Sequence, residues 1–156
     1  MAVIVMDRKT EDNKYLHRDF HLTLNHGVDH IGKKYGEEGV IDYIKAYAKT
    51  YFTKMTLEEI ASYLKDIYER EEALDRLSLD LTDKSLSVKV SSCPAIEYIL
   101  ASGDEISKYY VHTTKTLYAE IAAISELDFE LDYYDDATGA TAFAFKKSCA
   151  GCCKKD

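Results

Sequence analysis

Residues 77–90 read LSLDLTDKSLSVKV, and apolar and polar side chains alternate along both halves of this stretch. Alternation of this kind places one set of side chains on each face of a β-strand. Asp83 and Lys84 separate the two halves, so the stretch predicts a β-hairpin. LDFELDYY at 127–134 and ATAFAFKK at 140–147 alternate in the same way around DDATG, which predicts a second hairpin. The sequence therefore predicts an antiparallel sheet built from two β-hairpins.

The remaining patterned segments predict helices. Apolar residues recur at spacings of three and four over residues 13–35 and again over residues 37–52, with Gly36 between the two segments. The motif TLEE at 56–59 is typical of a capping box and predicts a helix from residue 57 to about residue 72. A short helix is expected after Pro94, and a last helix is expected near residue 113 with Thr113 as its N-cap. Several helices packed on one face of an antiparallel sheet define an α+β fold.

Composition limits the function classes. The chain has 156 residues, enough for one domain over residues 1–147, followed by a cysteine-containing polar tail at 148–156. Its net charge of −8 disfavours nucleic acid and anionic membranes as partners. No apolar run approaches the roughly 20 residues that span a bilayer, and three of the four cysteines lie in the last eight residues, which does not suit a disulfide framework. We therefore expect a cytoplasmic protein, and neither a metal nor another cofactor is expected.

Cys93 is the first candidate for chemistry. It directly precedes Pro94, the only proline, which suits the first turn of a helix. Partial positive charge at a helix N-terminus favours the thiolate form, so we expect Cys93 to face a pocket with a lowered pKa. The alternative is that Cys93 is a small buried hydrophobic residue.

Histidines are the second set of candidates. His21 flanks the apolar stripe of the first helix and is the best placed to reach a pocket. His26 and His30 lie opposite that stripe, so we expect both to be solvated. The alternative is that the two histidines bind a metal together. His112 precedes the last predicted helix, where the dipole favours neutral imidazole, a form that can act as general base. The alternative for His112 is a surface or capping role.

The tail contains Cys149, Cys152 and Cys153. A single CxxC is at most half of a zinc site. We expect exposed, reactive thiols without a catalytic role, and a local disulfide or a metal shared between chains stays open.

The order of several motifs resembles a known family. The motifs are RDFH at 18–21, HIGKKYGEEGVIDYIKAYAKTYF at 30–52, VKVSSCPAIEYI at 88–99, YVHTTKTLYAEIA at 110–122 and FELDYYDDATGATAFAFKK at 129–147. Over roughly residues 14–147 the chain resembles the bacterial L-2-amino-thiazoline-4-carboxylic acid hydrolase family. The C-terminal half is also similar to vinyl-reductase-type small-ligand-binding domains.

The resemblance implies an activity and a set of site residues. The activity is ring-opening hydrolysis of a C–N bond in a small cyclic amidine such as 2-amino-thiazoline-4-carboxylate. The implied catalytic residues are Cys93, His112 and His21, with either the thiolate or a histidine-activated water as nucleophile. The candidates for substrate binding are Asp19, Thr113, Arg18 or Lys115 for the carboxylate, and Tyr109, Tyr110 or Tyr118 for the ring.

Three functions remain open from the sequence. The first is the hydrolase. The second is a non-catalytic sensor or carrier that holds a small organic ligand in the same pocket, and the third is a structural subunit with a tyrosine-rich interface. The expected partner is a small-molecule substrate or ligand, with no nucleic acid and no membrane, and a homo-oligomer is left open.

Overall fold

The computed structural model describes residues 14–148, with side chains described from residue 19 onward. The helices are α1 (Lys14–Tyr51), α2 (Leu57–Arg70), α3 (Pro94–Ala101) and α4 (Lys115–Ile124), and short 3-10 helices occupy Leu74–Arg76 and Tyr110–Thr113. The strands are β1 (Leu77–Leu81), β2 (Ser85–Val90), β3 (Leu127–Tyr134) and β4 (Thr141–Lys147). The predictions for the cysteine tail beyond residue 148 lie outside the described residues.

Both predicted hairpins belong to one antiparallel sheet of order β1-β2-β4-β3. The hairpins meet where β2 pairs with β4, with Leu86 opposite Phe145 and Val88 opposite Phe143. These side chains share the apolar face, and α2 and α4 pack on that face, while Lys89 is exposed on the other one. The predicted α+β fold, with helices on one face of an antiparallel sheet, is confirmed.

Helix α1 consists of two segments that meet at Gly36. The backbone of Gly36 has φ 75° and ψ −176°, a conformation that a residue with a Cβ rarely adopts. The predicted change of helix at this glycine is confirmed, although no loop separates the two segments. Val28 from the first segment and Val40 and Ile44 from the second form an apolar cluster with α3 and Tyr110. The break thus lets both segments of α1 pack against α3 and Tyr110 in this cluster.

Helix α2 begins as its sequence predicts. Thr56 Oγ1 accepts a hydrogen bond from the Glu59 amide at 3.2 Å, and Glu59 Oε2 accepts one from the Thr56 amide at 2.7 Å. The helix ends at Arg70, with Glu71 as its C-cap and Glu72 at φ 55°. This turn leads through the 3-10 helix Leu74–Arg76 into β1, and it leaves Glu71 buried at the end of α2.

The predicted N-cap of the last helix is wrong. Thr113 lies in the 3-10 helix Tyr110–Thr113, and the N-cap of α4 is Thr114. The hydroxyl of Thr113 donates to the Tyr110 carbonyl at 2.8 Å, so it serves the preceding turn. His112 therefore sits inside the short 3-10 helix and not at the N-terminus of an α-helix. Across the described range, none of the helices has the length and hydropathy that a membrane span requires.

Candidate functional site

A cavity of about 360 Å³ lies between two apolar clusters. One cluster is formed by the sheet, α2 and α4, and the other by α1, α3 and Tyr110. Helices α1, α2 and α4 and the inner face of the sheet form most of its walls. The start of α3 and the 3-10 helix Tyr110–Thr113 complete them. A cavity of this volume falls in the range of small-ligand sites, about 300–1,000 Å³. The fold therefore holds an internal space of ligand size beneath α1.

Aromatic side chains form a large part of the lining. The tyrosines in the wall are Tyr43, Tyr47, Tyr63, Tyr68, Tyr110 and Tyr118, and Phe20 and Phe143 join them. Phe20 is 46% exposed and Tyr43 is 44% exposed, although both also line the cavity. Because both residues are part of the wall and are also exposed, they lie where the wall reaches the protein surface, which we call the mouth of the cavity.

The backbone around Cys93 is fixed from two directions. Cys93 is the N-cap of α3, and Pro94 occupies the first turn as predicted. The Cys93 amide donates to the Thr138 carbonyl at 2.8 Å, so the turn of the second hairpin is held against the helix start. Gly139, at φ 68°, follows in that turn and packs so closely on Cys93 that no Cβ would fit there. Together these contacts place Cys93 in the cavity wall.

The predicted direction of the Cys93 pKa is wrong. Burial raises the pKa of the Cys93 thiol, and the nearby carboxylates of Glu71 and Glu97 raise it further. The amides of Ala95 and Ile96, at the helix N-terminus, lower the pKa as the dipole argument requires, but their effect is smaller than that of burial. The thiol is therefore neutral at physiological pH.

His21 and Glu71 form a close pair in the cavity wall. His21 Nε2 lies 2.7 Å from Glu71 Oε1, and both side chains are largely buried. Glu71 caps the C-terminal end of α2, where a negative charge is electrostatically unfavourable, so contact with the His21 ring compensates for that placement. The pair joins residues 50 positions apart and gives the mainly apolar cavity a corner with two ionisable side chains.

His112 lies apart from this pair. It is buried, with Nδ1 at 2.7 Å from Thr116 Oγ1 and Nε2 at 3.0 Å from Glu37 Oε1. It is not among the described residues that line the cavity. The expected convergence of His112 with Cys93 and His21 is therefore not what the structure has. Its contacts instead join α4 to the segment of α1 that begins after Gly36.

The other predicted substrate-binding residues divide into two groups. Tyr110, Tyr118 and Thr113 line the cavity. Asp19 is exposed and lies 3.4 Å from the Tyr98 hydroxyl, outside the described lining, and the side chain of Arg18 lies outside the described part. Tyr109 and Lys115, the alternatives for binding the ring and the carboxylate, are also not among the described lining residues. The Tyr109 hydroxyl donates to the Gly32 carbonyl, and Lys115 is exposed.

The histidine pair opposite the apolar stripe is exposed, as expected for the solvated alternative. His26 Nε2 lies 3.0 Å from Asp104 Oδ2, and His30 is exposed. Within the range 19–148, no three His, Cys, Asp or Glu side chains come together as a metal site.

Three tyrosine hydroxyls of the cavity wall have an unusual environment. Burial raises the pKa of Tyr68, Tyr110 and Tyr118, and the proximity of Cys93 contributes at each of them. No protein group in the described part of the chain hydrogen-bonds to these three hydroxyls. Because buried polar groups are nearly always paired in native proteins, the hydroxyls are available to a bound molecule or to water.

Glu71 and most of the tyrosine wall were missed from the sequence. Glu71 did carry one signal, because an acidic residue in the last turn of a predicted helix opposes the preferred charge pattern. Tyr63 and Tyr68 lie five residues apart on α2, and nothing in that helical pattern distinguishes a cavity wall from an ordinary core.

No protein-family model matches this chain, and no curated protein matches its sequence. The fold and the site therefore define only a class: an α+β protein with a ligand-sized, mainly apolar cavity that is rich in tyrosine and has a histidine–glutamate pair in its wall.

Proposed function

We propose that the chain is a hydrolase that opens a small cyclic amidine by cleaving a C–N bond in this cavity. The observation that supports it best is that Cys93 and the His21–Glu71 pair lie in the wall of the same ligand-sized space. Hydrolysis of this kind needs a nucleophile and a group that takes its proton, and both must reach one bound molecule. The family resemblance of the sequence points to the same reaction class.

Water is the nucleophile in the proposed reaction, because the Cys93 thiol is neutral. The water oxygen forms a bond to the amidine carbon, and its proton passes to His21. Glu71 stabilises the resulting imidazolium, since its carboxylate lies against the same ring. One C–N bond of this tetrahedral intermediate then breaks as His21 returns the proton to the leaving nitrogen. The proton of the remaining hydroxyl passes to the released amine, so the opened product carries an amine and a carbonyl group. Cys93 borders the bound ring and does not form a covalent bond.

A second candidate function is a non-catalytic sensor or carrier for the same kind of molecule. The raised pKa of Cys93 and the mainly apolar lining favour it, because a carrier needs only a closed, apolar space with a few polar groups. The two functions share the binding step and differ only in turnover.

The test is incubation of the purified protein with 2-amino-thiazoline-4-carboxylate and a panel of cyclic amidines, with product formation followed by mass spectrometry. His21→Ala should lower kcat by about 10²–10⁴, the usual contribution of a general base. His26→Ala is the matched control, because this exposed histidine lies five residues further along the same helix, and it should retain full activity.

Cys93→Ala separates the two nucleophiles. Most of the activity should remain if water attacks, whereas loss of activity equal to that of His21→Ala would make the thiol the nucleophile. Binding of a panel member without turnover would contradict the hydrolase and favour the carrier.

A further inference from the structure

The described wall of the cavity has few ionisable side chains of ordinary charge. The lining contains one carboxylate, Glu71, and one imidazole, His21, while no lysine or arginine is present among the described lining residues. Among the described lining residues, only a protonated His21 could pair with a bound anion, and its Nε2 already lies 2.7 Å from Glu71 Oε1. An organic acid placed deep in the cavity would therefore face the Glu71 carboxylate and would compete with it for His21.

The cavity also disfavours negative charge on the protein's own groups. Burial raises the pKa of Cys93, and it raises the pKa of Tyr110 and Tyr118 in the same wall. Each of these groups is neutral when protonated and negative when ionised. The surroundings that keep them neutral would penalise a carboxylate or a phenolate of a ligand in the same way.

The aromatic wall suits a positive charge instead. The faces of tyrosine rings attract cations, and the attraction grows when the site is desolvated. Tyr68 and Tyr110 are more than nine-tenths buried, and their unpaired hydroxyl oxygens can accept hydrogen bonds from N–H donors. The carboxylate of Glu71 has several acceptor positions, so it can bind a ligand N–H group while it contacts His21.

We propose that the cavity selects planar organic cations over neutral molecules and excludes anions of the same shape, with Glu71 as the specificity-determining residue. The ligand plane packs against the tyrosine rings, and its N–H groups point to the corner of Glu71 and His21. This inference rests on the proposed function, because it places the amidine group of the ligand at the same corner of the same cavity. It adds that a carboxylate on the ligand lies at the mouth, between Phe20 and Tyr43, where water can solvate it.

The test uses benzamidine, benzamide and benzoate, which share a six-membered ring and differ mainly in charge. Isothermal titration calorimetry at neutral pH should give a Kd for benzamidine about ten-fold or more below that of benzamide, a difference of about 1.4 kcal/mol. Benzoate should bind more weakly than benzamide. Benzoate binding as tightly as benzamidine would overturn the proposal, and so would the absence of binding by all three.

A charge-neutralising variant assigns the selectivity to one side chain. Glu71→Gln keeps the shape and should reduce the preference for benzamidine over benzamide to less than about three-fold, which corresponds to about 0.6 kcal/mol. Glu69→Gln is the matched control, because Glu69 is exposed near the end of the same helix, and the preference should be unchanged. An unchanged preference in Glu71→Gln would overturn the role of Glu71.

The outcomes also separate this inference from the proposed reaction. If wild-type protein shows the expected order of affinities but hydrolyses no cyclic amidine, the cation selectivity stands and the hydrolase is wrong. If it hydrolyses cyclic amidines but binds the anionic probe best, the hydrolase stands and the selectivity is wrong.

Discussion

Replacing Gly139 by alanine should destabilise the fold through the wall of the cavity. Gly139 has φ 68°, and a Cβ at this position would lie 2.9 Å from Ile96 Cδ1 and closer still to the Cβ of Cys93. A left-handed backbone costs a residue with a Cβ about 1–2 kcal/mol. Forcing an extra carbon into packed surroundings costs about 1–3 kcal/mol more. We expect Gly139→Ala to lower the free energy of unfolding by about 2–5 kcal/mol.

Gly103 provides the matched control. It has φ 84°, but a Cβ there would meet no atom within 4 Å. Gly103→Ala should therefore cost only the backbone term of about 1–2 kcal/mol. The entropy that alanine removes from the unfolded chain is common to both variants and cancels in the comparison. The difference between the two variants measures the contact with Cys93 and Ile96.

Urea unfolding followed by circular dichroism gives both free energies. Adding Cys93→Gly to Gly139→Ala should restore part of the loss, because it removes the Cβ that the new methyl group meets, whereas adding Cys93→Ala should not. If Gly139→Ala and Gly103→Ala agree within about 0.5 kcal/mol, the typical limit for independent sites, the close packing of the turn on Cys93 is refuted.

Three further predictions concern a cap, a thiol and a phenol. Thr56→Ala removes the hydrogen bond to the Glu59 amide and should cost about 1 kcal/mol in urea unfolding, while Thr53→Ala, in the exposed loop before the helix, should change stability by less than about 0.5 kcal/mol. In a variant whose tail cysteines are serine, native Cys93 should react with iodoacetamide only above the ordinary thiol pKa of about 8.5, because burial raises its pKa; rapid reaction at neutral pH would contradict this. Burial also raises the pKa of Tyr110, so the folded state keeps a proton that the unfolded state releases above about pH 10, and stability falls as the pH rises through that range. Tyr110→Phe should reduce that slope by up to about 1.4 kcal/mol per pH unit, and an unchanged slope between pH 10 and 11 would show that the hydroxyl titrates normally.

The elements that the sequence predicted correctly depend on local patterns. The alternation at 77–90 and 127–147 places one apolar face on each hairpin, and burial of both faces brings β2 and β4 together in one sheet. The capping box at Thr56 and the break at Gly36 are equally local, because each depends on side chains or backbone freedom within one turn. Features of this kind are readable from short segments of sequence.

The errors occur where distant residues decide the outcome. Thr113 has the chemistry of an N-cap, but its hydroxyl is used by the 3-10 turn before it. Cys93 does occupy a helix N-terminus, yet the burial imposed by other elements outweighs the dipole and raises its pKa. His112 contacts Glu37 across 75 positions of sequence, which no local pattern could indicate.

The candidate site could be predicted only in part for the same reason. Cys93, His21 and Tyr110 stood out by type and position, and all three line the cavity. The partner that gives His21 its chemistry, Glu71, comes from a separate helix, and its placement depends on how α1 crosses the end of α2. Local sequence identifies chemically capable residues, whereas the packing of elements decides which of them meet.

The most direct test of the account is whether a cyclic amidine occupies the cavity. Protein labelled with ¹³C at the tyrosine rings can be titrated with 2-amino-thiazoline and followed by NMR, with resonances assigned by single Tyr→Phe variants. We expect the signals of Tyr110 and Tyr118, which line the cavity, to shift and saturate together, while those of Tyr51 and Tyr133, which are exposed outside it, stay unchanged. Shifts confined to Tyr51 and Tyr133, or no shift at any tyrosine at saturating ligand, would contradict the account.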